Sequence, residues 1–505
     1  MLAKTESVAL VGPDAFPVDV EVNVGDGLPA FRIVGLPAAS VREAEQRTHA
    51  ALDAGDHKWP KRRITANLAP GALRKEGSHF DLALAMGVLG ADGDFDPGLL
   101  KGWIFMGELA LDGKLRPVRG TLAAAIACRQ WGKRGIVCSR TNAPEAALID
   151  GIEVVAADSL RDCRGFMKGE WTPEPVVPAP GTESSQTADM RDVRGHECAK
   201  RALEIAAAGG HNVLLMGPPG CGKTMLARRL PGILPSMSLE ESLEVTKIYS
   251  VAGLLTHRAS LVKARPYRSP HHHISVAGLI GGGSGLPLPG EISLAHLGVL
   301  FLDELCQFRS DVLETLRVPL EEGIIRIARS GGVVAYPCRF SLVAATNPCP
   351  CGYEGDWMRR CSCSAPRLQR YKSRLSGPLL DRIDMQISLS RLTRDEMLGG
   401  PTGDASADTR QRVELARSIQ TERYRSVRAT NSSVNLTVDS VPLVSAARGE
   451  LEARLDNGAL TGRGLSRALR VARTIADLDG ADSITEHHLT EAFSLGVNVG
   501  SEKAA

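Results

Sequence analysis

The sequence predicts an α/β protein with several domains, and three patterns along its 505 residues indicate this. Strands with two-residue alternation are mixed with apolar helices over residues 1–166, as in an α+β domain. Apolar strands alternate with helices over residues 189–390, as in a doubly wound parallel sheet. Residues 391–505 have mostly helical periodicity. Because single cores of this size are rare, we expect separate domains.

Residues 167–188 are rich in Pro and Ser and predict an extended linker. A long surface loop is the alternative, and it places the boundary at the same position. Ser483 and Glu486 have the spacing of a capping box, with Thr485 as an alternative cap without a box. The predicted strands are 8–11, 18–24, 31–34 and 64–68, and the predicted helices are 38–54, 80–89, 122–131, 405–425, 440–455, 464–478 and 486–494.

Composition and charge exclude few functions. The formal net charge is +2, so a surface for nucleic acid would be a local patch rather than a global field. No apolar run reaches the roughly 18 residues that span a bilayer, and the first residues lack the apolar core of a signal peptide. We therefore expect a cytoplasmic protein that does not enter a membrane. The cysteines outside one cluster of four are scattered, and we expect them to be reduced.

A glycine-rich loop lies between an apolar strand, residues 212–216, and a helical run, residues 225–230. This is the context of a Walker A motif, in which backbone N–H groups turn toward the phosphates of ATP. We expect Lys223 to reach the γ-phosphate and Thr224 to hold Mg²⁺. A glycine-rich loop with a surface lysine is the alternative. The motif consists of Gly217, Pro218, Pro219, Gly220, Cys221, Gly222, Lys223 and Thr224.

A second motif follows in the chain. The apolar strand 298–302 ends in Asp303 and Glu304, the pattern of a Walker B motif. Asp303 is expected to bind Mg²⁺, and Glu304 is expected to polarise the attacking water. A solvated strand end is the alternative for this pair. The two motifs together predict hydrolysis of ATP.

Three further residues resemble parts of AAA+ ATPases. Asn347 ends the apolar strand 341–346, as does the sensor 1 amide that positions water near the γ-phosphate. Arg382 resembles the arginine finger that enters the neighbouring subunit of a ring. Arg463 opens a helix with four arginines on one broad face and resembles sensor 2. The alternatives are a turn at Asn347 before Pro348, a salt bridge from Arg382 to Asp381 or Asp384, and a solvated basic face.

Longer segments carry a resemblance to one family. They are residues 192–211, 265–274, 281–296 and 347–352. With the motifs above, they resemble the YifB/ComM family of magnesium-chelatase-like AAA+ ATPases over nearly the whole chain. The resemblance implies a homo-hexameric, ATP-driven DNA helicase that promotes branch migration during recombination of incoming DNA in natural transformation. The alternative is a chelatase-like ATPase that remodels a protein partner.

Residues 324–336 predict a β-hairpin that turns at Ser330 and the two glycines after it. Such hairpins point into the central pore of related ring ATPases. Arg326 and Arg329 could therefore grip phosphates of single-stranded or branched DNA without reading its sequence. Arginines that only keep a surface loop soluble are the alternative.

Four clustered cysteines form two C-x-C pairs, a pattern that suits structural Zn²⁺ although the usual spacing is C-x2-C. A reduced loop without metal and a redox role are the alternatives. For His271, His272 and His273 we expect packing or phosphate contact, because three adjacent side chains do not readily face one ion. The four cysteines are Cys349, Cys351, Cys361 and Cys363.

Residues 75–85 and 107–120 resemble the Lon protease domain, which uses a Ser-Lys dyad. Alignment places His79 at the serine position and Leu122 at the lysine position, so we expect no proteolysis. A dyad of Ser78 and Lys75 is a remote alternative. Because both residues of the Lon dyad are missing, a DNA-binding or ring-organising domain is the expected alternative to a protease. Its Lys and Arg residues supply local positive charge for that role, and a plain solvated face is the other interpretation of them.

Overall fold

The computed structural model describes residues 1–178, 188–255, 261–283, 287–329, 332–374, 377–399 and 403–497. It confirms a mixed α/β protein built on more than one sheet. Residues 172–178 of the predicted linker have no regular structure, and residues 179–187 lie outside the described part. None of the helices in the described ranges is long and apolar enough to cross a membrane.

The first sheet has seven strands in the order β3-β4-β2-β1-β5-β8-β9, and it mixes parallel and antiparallel pairs. Val18, Val20, Val22 and Val24 are all buried along β2, as their alternation predicts. The elements are β1 Leu2–Val11, β2 Asp14–Gly25, β3 Ala30–Val34, α1 Ala39–Arg42, α2 Ala44–Ala54, β4 Arg63–Ala69, α3 Asp81–Asp92, β5 Trp103–Met106, β6 Glu108–Leu109, β7 Leu115–Arg116, α4 Thr121–Gln130, β8 Gly135–Ser139, α5 Ala143–Ala146, β9 Glu153–Ala157 and α6 Leu160–Lys168.

The second sheet has five parallel strands in the order β11-β14-β17-β10-β18, as the alternating pattern predicts. The elements are α7 Glu197–Gly209, β10 Val213–Met216, α8 Lys223–Ala227, α9 Leu230–Ile233, α10 Leu239–Ala252, β11 Tyr267–Arg268, α11 Val276–Ile280, β12 Gly281–Gly282, β13 Leu288–Pro289, α12 Glu291–Leu294, β14 Val299–Leu302, α13 Ser310–Glu314, α14 Arg317–Glu322, β15 Ile324–Arg329, β16 Gly332–Pro337, β17 Ser341–Thr346, α15 Ala365–Lys372, α16 Gly377–Leu380 and β18 Met385–Ser388.

The described end of the chain is helical. Helices α18 and α20 pack on α7, and residues of α19 and α21 belong to the same apolar core, which also includes residues of β10 and β18. The backbone N–H of Thr485 donates to His488 Nδ1 at 3.1 Å, so Thr485 caps the last helix and the Ser483 box is wrong. Thr485 thus forms a capping box, contrary to the expectation of a cap without one, and His488 occupies the position where Glu is usual. The elements are α17 Arg394–Leu398, α18 Ser406–Tyr424, α19 Ser445–Asp456, α20 Gly462–Leu478 and α21 Glu486–Ala492.

The elements around the two sheets touch each other mainly through α10. Lys247 Nζ lies 2.6 Å from Asp14 Oδ1, and the Ser250 hydroxyl donates to the Glu145 carboxylate. The turn between β1 and β2 also reaches the β15–β16 hairpin: a Cβ built on Gly12 would lie 2.5 Å from Val334 Cγ1. The turn between β1 and β2 is therefore packed directly against the middle of β16.

Candidate nucleotide site

The glycine-rich loop connects the carboxyl end of β10 to the start of α8. Gly220 and Gly222 have φ of +80° and +92°, a region that residues with a Cβ rarely adopt. A Cβ built on Gly217 would lie 2.5 Å from the carbonyl oxygen of Leu389. The backbone path of the loop therefore requires glycine at positions 217, 220 and 222.

Lys223 is buried at the first position of α8, with its Nζ held by three oxygens. It donates to the carbonyl of Gly217 at 2.6 Å, the carbonyl of Pro218 at 2.9 Å and Asn347 Oδ1 at 3.1 Å. These acceptors are uncharged, so the charge of the ammonium remains available to an anion. The contact to Asn347 joins the predicted sensor 1 residue to the Walker A lysine.

Thr224 and Asp303 converge from α8 and the end of β14. Thr224 Oγ1 donates to Asp303 Oδ2 at 2.7 Å, so a hydroxyl and a carboxylate oxygen face the same point. Oxygen ligands of this kind suit Mg²⁺ held together with substrate phosphates. Glu304 follows with a φ of 53°, and its N–H donates to Asp303 Oδ1 at 2.9 Å. The residues present therefore fit both ATP and Mg²⁺.

Three histidines lie beside the Walker B carboxylates. His272 Nδ1 is 3.7 Å from Glu304 Oε2, and the His272 ring also meets Phe308 edge-on. The nitrogens of His271, His272 and His273 lie within 4.8 Å of one another, so they converge, contrary to the expectation from sequence. The rings are tilted against each other with centroids 4.1 to 5.2 Å apart. The three histidine rings also pack against one another, in agreement with the packing that we expect from the sequence.

Sequence reasoning missed two residues at this site. His196 precedes α7 with a φ of 57°, and a Cβ built on Gly222 would lie 3.7 Å from its Nε2. Burial lowers the pKa of His196, which favours the neutral ring. Tyr371 on α15 has its hydroxyl 3.2 Å from the Asn347 carbonyl and from Thr346 Oγ1. His196 lies in segment 192–211, whose position before the loop was the available signal, whereas nothing in the sequence pointed to Tyr371.

The two predicted arginines make contacts to acidic side chains. Arg382 forms an ion pair with Glu321, and Arg463 forms one with Asp381. Arg463 is 77% exposed, so it lies at the surface of this single chain. Two other arginines of α20, Arg467 and Arg473, are buried, which is inconsistent with a fully solvated basic face. The roles predicted for Arg382 and Arg463 stay predictions.

The predicted hairpin is present, with β15 and β16 paired antiparallel from Ile324 opposite Pro337 to Arg329 opposite Gly332. Ser330 and residue 331, where we expect the turn, lie outside the described residues. Arg326 and Arg329 are exposed, whereas Ile325 and Ile327 point into the core. Arg326 also pairs with Glu322 at 2.6 Å.

The four cysteines come together directly after Asn347. Their sulfurs all lie within 4.8 Å of one another, and the closest is Cys349 to Cys351 at 3.3 Å. A hydrogen bond from the backbone N–H of Ser362 lowers the pKa of Cys351 to about 6. The same loop touches Walker A, because a Cβ built on Gly352 would lie 2.6 Å from Pro219 Cδ.

Lys75 and Ser78, the alternative candidates for a protease dyad, each bind other residues. Lys75 is buried and donates to the carbonyls of Gly35 and Pro70, whereas Ser78 donates to Glu108. His79, at the aligned serine position, is buried with Nε2 2.8 Å from the carbonyl of Val8. Burial lowers the pKa of His79 to about 4. These contacts favour a structural role for the segment.

Comparison with known proteins extends these observations. A family model described as magnesium chelatase, subunit ChlI, matches residues 189–397. Models for another part of that subunit and for its C-terminal part match residues 20–142 and 403–495. YifB of Escherichia coli is 42% identical over 489 residues, 96% of this chain and 95% of its own.

The chain belongs to the YifB/ComM family of magnesium-chelatase-like proteins. The competence protein ComM of Haemophilus influenzae is 43% identical over 502 residues, 97% of each chain. An uncharacterized protein of Mycobacterium tuberculosis is 44% identical over 490 residues, 95% of this chain and 96% of its own. Membership of this magnesium-chelatase-like AAA+ family implies ATPase activity, which agrees with the geometry around Lys223.

Proposed function

We propose that this chain is an ATP-driven DNA translocase that forms a hexameric ring and promotes branch migration when incoming DNA is recombined. The observation that carries the proposal is the competence protein ComM, which is 43% identical across 97% of each chain. The exposed arginines of the β15–β16 hairpin support it with a surface suited to phosphates. Such a protein would act in the cytoplasm, where DNA and ATP are both present.

The residues around Lys223 divide the work of hydrolysis. Lys223 and the N–H groups of the loop would hold the β- and γ-phosphates, while Thr224 and Asp303 would ligate Mg²⁺. When Mg²⁺ is bound together with ATP, it would neutralise part of the negative charge of the phosphates. Glu304 then takes a proton from water as the water oxygen bonds to the γ-phosphorus and ADP leaves. Asn347, which already contacts the Lys223 ammonium, would orient the water.

The ring completes the site in this proposal. Arg382 would reach the γ-phosphate bound by the neighbouring copy, where it stabilises the charge of the transition state. Arg463, at the start of α20, would act as sensor 2. Both arginines now pair with carboxylates, Glu321 and Asp381, that a phosphate could replace as partners.

DNA-stimulated ATP hydrolysis in hairpin variants tests the proposal. Arg329→Ala should reduce stimulation by single-stranded DNA and leave the rate without DNA unchanged. It should also weaken the salt dependence of DNA binding by about 0.7 in log–log slope, the value for one phosphate contact on a single strand. Arg448→Ala on α19 is the control, because Arg448 is likewise an exposed arginine but lies outside the hairpin. Equal stimulation in both variants would overturn the assignment of the hairpin.

We also infer a structural Zn²⁺ held by the four cysteines. Tetrahedral zinc with Zn–S bonds of about 2.3 Å places its sulfurs about 3.8 Å apart. The distances among Cys349, Cys351 and Cys361 are 3.3 to 3.6 Å, close to that value. Cys363 belongs to the same group. The expected content is one zinc per chain by elemental analysis of the purified protein, and a stoichiometry near zero would contradict the inference.

A further inference from the structure

The loop between β11 and α11 carries a side chain to the Walker B glutamate. His272 Nδ1 lies 3.7 Å from Glu304 Oε2, near enough for a small rotation of either side chain to form a hydrogen bond. The His272 side chain is 17% exposed, whereas its neighbours His271 and His273 are exposed. His272 is thus the member of the three that is turned inward, between Glu304 and Phe308.

The side chain of Glu304 is half-exposed, so packing alone does not fix its orientation. Its backbone is in the left-handed region, and its side chain is 46% exposed. Within the described residues, His272 is the one basic side chain within 4 Å of the Glu304 carboxylate, and burial together with the neighbouring histidines lowers its pKa, so a neutral ring faces Glu304. A carboxylate that must accept a proton from one particular water works only within hydrogen-bond reach of it. His272 is therefore the basic side chain that is placed to orient the Glu304 carboxylate.

The segment after His272 reaches the hairpin. It runs through α11 to β12, which lies on β15: a Cβ built on Gly281 would lie 2.8 Å from Ile327 Cδ1. A Cβ built on Gly282 would lie 3.6 Å from Arg329 Nη2. β12 begins nine residues after His272 in the chain, so a hairpin movement that displaces β12 would be carried toward His272 by α11 and the loop before it. One continuous segment of the chain therefore joins the contact with Arg329 to the residue beside Glu304.

We propose that His272 is a positioning residue that orients Glu304 toward the attacking water and transmits movement of the hairpin to it. The second half of this statement rests on the proposed function, because it requires the hairpin to grip DNA. The first half concerns ATP hydrolysis alone. In this arrangement DNA on Arg329 shifts β15, and the shift changes how firmly His272 holds Glu304.

Steady-state ATP hydrolysis by the full chain tests the proposal, with and without single-stranded DNA. His272→Ala should lower kcat about tenfold with DNA present, and the KM for ATP should stay within about twofold, since a positioning contact acts on the chemical step. His272→Asn keeps a short donor and should recover part of the rate. His273→Ala is the matched control for lost ring packing, because this exposed neighbour packs on the His272 ring but makes no ion-pair contact with Glu304 in the described part of the chain.

The outcomes separate the two proposals. If wild-type hydrolysis is stimulated by DNA and His272→Ala keeps both kcat and stimulation at the level of His273→Ala, the role of His272 is overturned. A rise in KM without a fall in kcat would also overturn it. If DNA never stimulates the wild-type protein, the proposed function fails, and a lower basal kcat in His272→Ala still supports the positioning of Glu304. Binding of a fluorescent ATP analogue checks that the variant is folded.

Discussion

The contact between the cysteine loop and Walker A makes Gly352 a test of the site. Its φ is +86°, and a Cβ there would lie 2.6 Å from Pro219 Cδ, about 1 Å closer than ordinary contact. Gly352→Ala therefore requires Pro219 to move away, and overpacking of this kind costs about 1 to 3 kcal/mol. In the variant, ATP binding would have to return the phosphate loop to its original position, and part of the binding free energy is used for that change. The Kd for ATP should therefore rise about tenfold, the equivalent of about 1.4 kcal/mol.

Gly355 in the same loop supplies a matched control. Its φ is +76°, but no atom lies within 4 Å of a Cβ built on it. Gly355→Ala thus has a similar backbone strain of about 1 to 2 kcal/mol without the clash. Titration of both variants with a fluorescent ATP analogue separates the two effects. Equal ATP affinities for the two variants would refute the reasoning that the cysteine loop supports the phosphate loop.

Four further predictions concern other residues. Lys223→Ala should lower ATP affinity at least about 100-fold in the same titration, whereas Glu304→Gln should bind ATP but hydrolyse it at least about 100-fold more slowly. Folding lowers the pKa of His79 from 6.5 to about 4, so a proton binds the unfolded chain more tightly than the folded one. Between pH 7 and 5 the free energy of unfolding should therefore fall by about 2 kcal/mol. Urea unfolding of His79→Gln should lack this loss. Cys361→Ser should lower the bound zinc released to a colorimetric chelator.

Each of these has a contradicting result. Normal ATP binding by Lys223→Ala would remove the lysine from the phosphate site, and normal hydrolysis by Glu304→Gln would remove the general base. The same loss of stability from pH 7 to 5 in His79→Gln and in the wild type would show that His79 is not the titrating group. Asp81, whose pKa burial raises to about 6, is present in both proteins and cancels in that comparison. Unchanged zinc in Cys361→Ser would point to other ligands.

Much of the nucleotide site could be predicted because its residues follow the ends of parallel strands. Lys223, Asp303 and Asn347 come after β10, β14 and β17, which are neighbours in the sheet, so their meeting follows from the topology. The glycine spacing and the two terminal carboxylates are local signals. In the same way, the alternation of apolar residues along β2 predicts which of its two faces is buried.

The remaining contacts depend on loops whose paths are set by tertiary packing. His196, His272 and Tyr371 reach the site from a helix start, a connection and a separate helix, and no periodicity marks them. The cap of α21 shows the same limit on a smaller scale, since His488 replaces the expected Glu. The partners of Arg382 and Arg463 are also tertiary, and a ring would change them.

The most direct test of the central claim is the rate of ATP hydrolysis without DNA, with single-stranded DNA and with a synthetic four-way junction. Glu304→Gln serves as the blank. A motor that drives branch migration should be stimulated by both DNAs, and most strongly by the junction. A wild-type rate that neither DNA changes would rule out such a motor and favour an ATPase that remodels a protein partner.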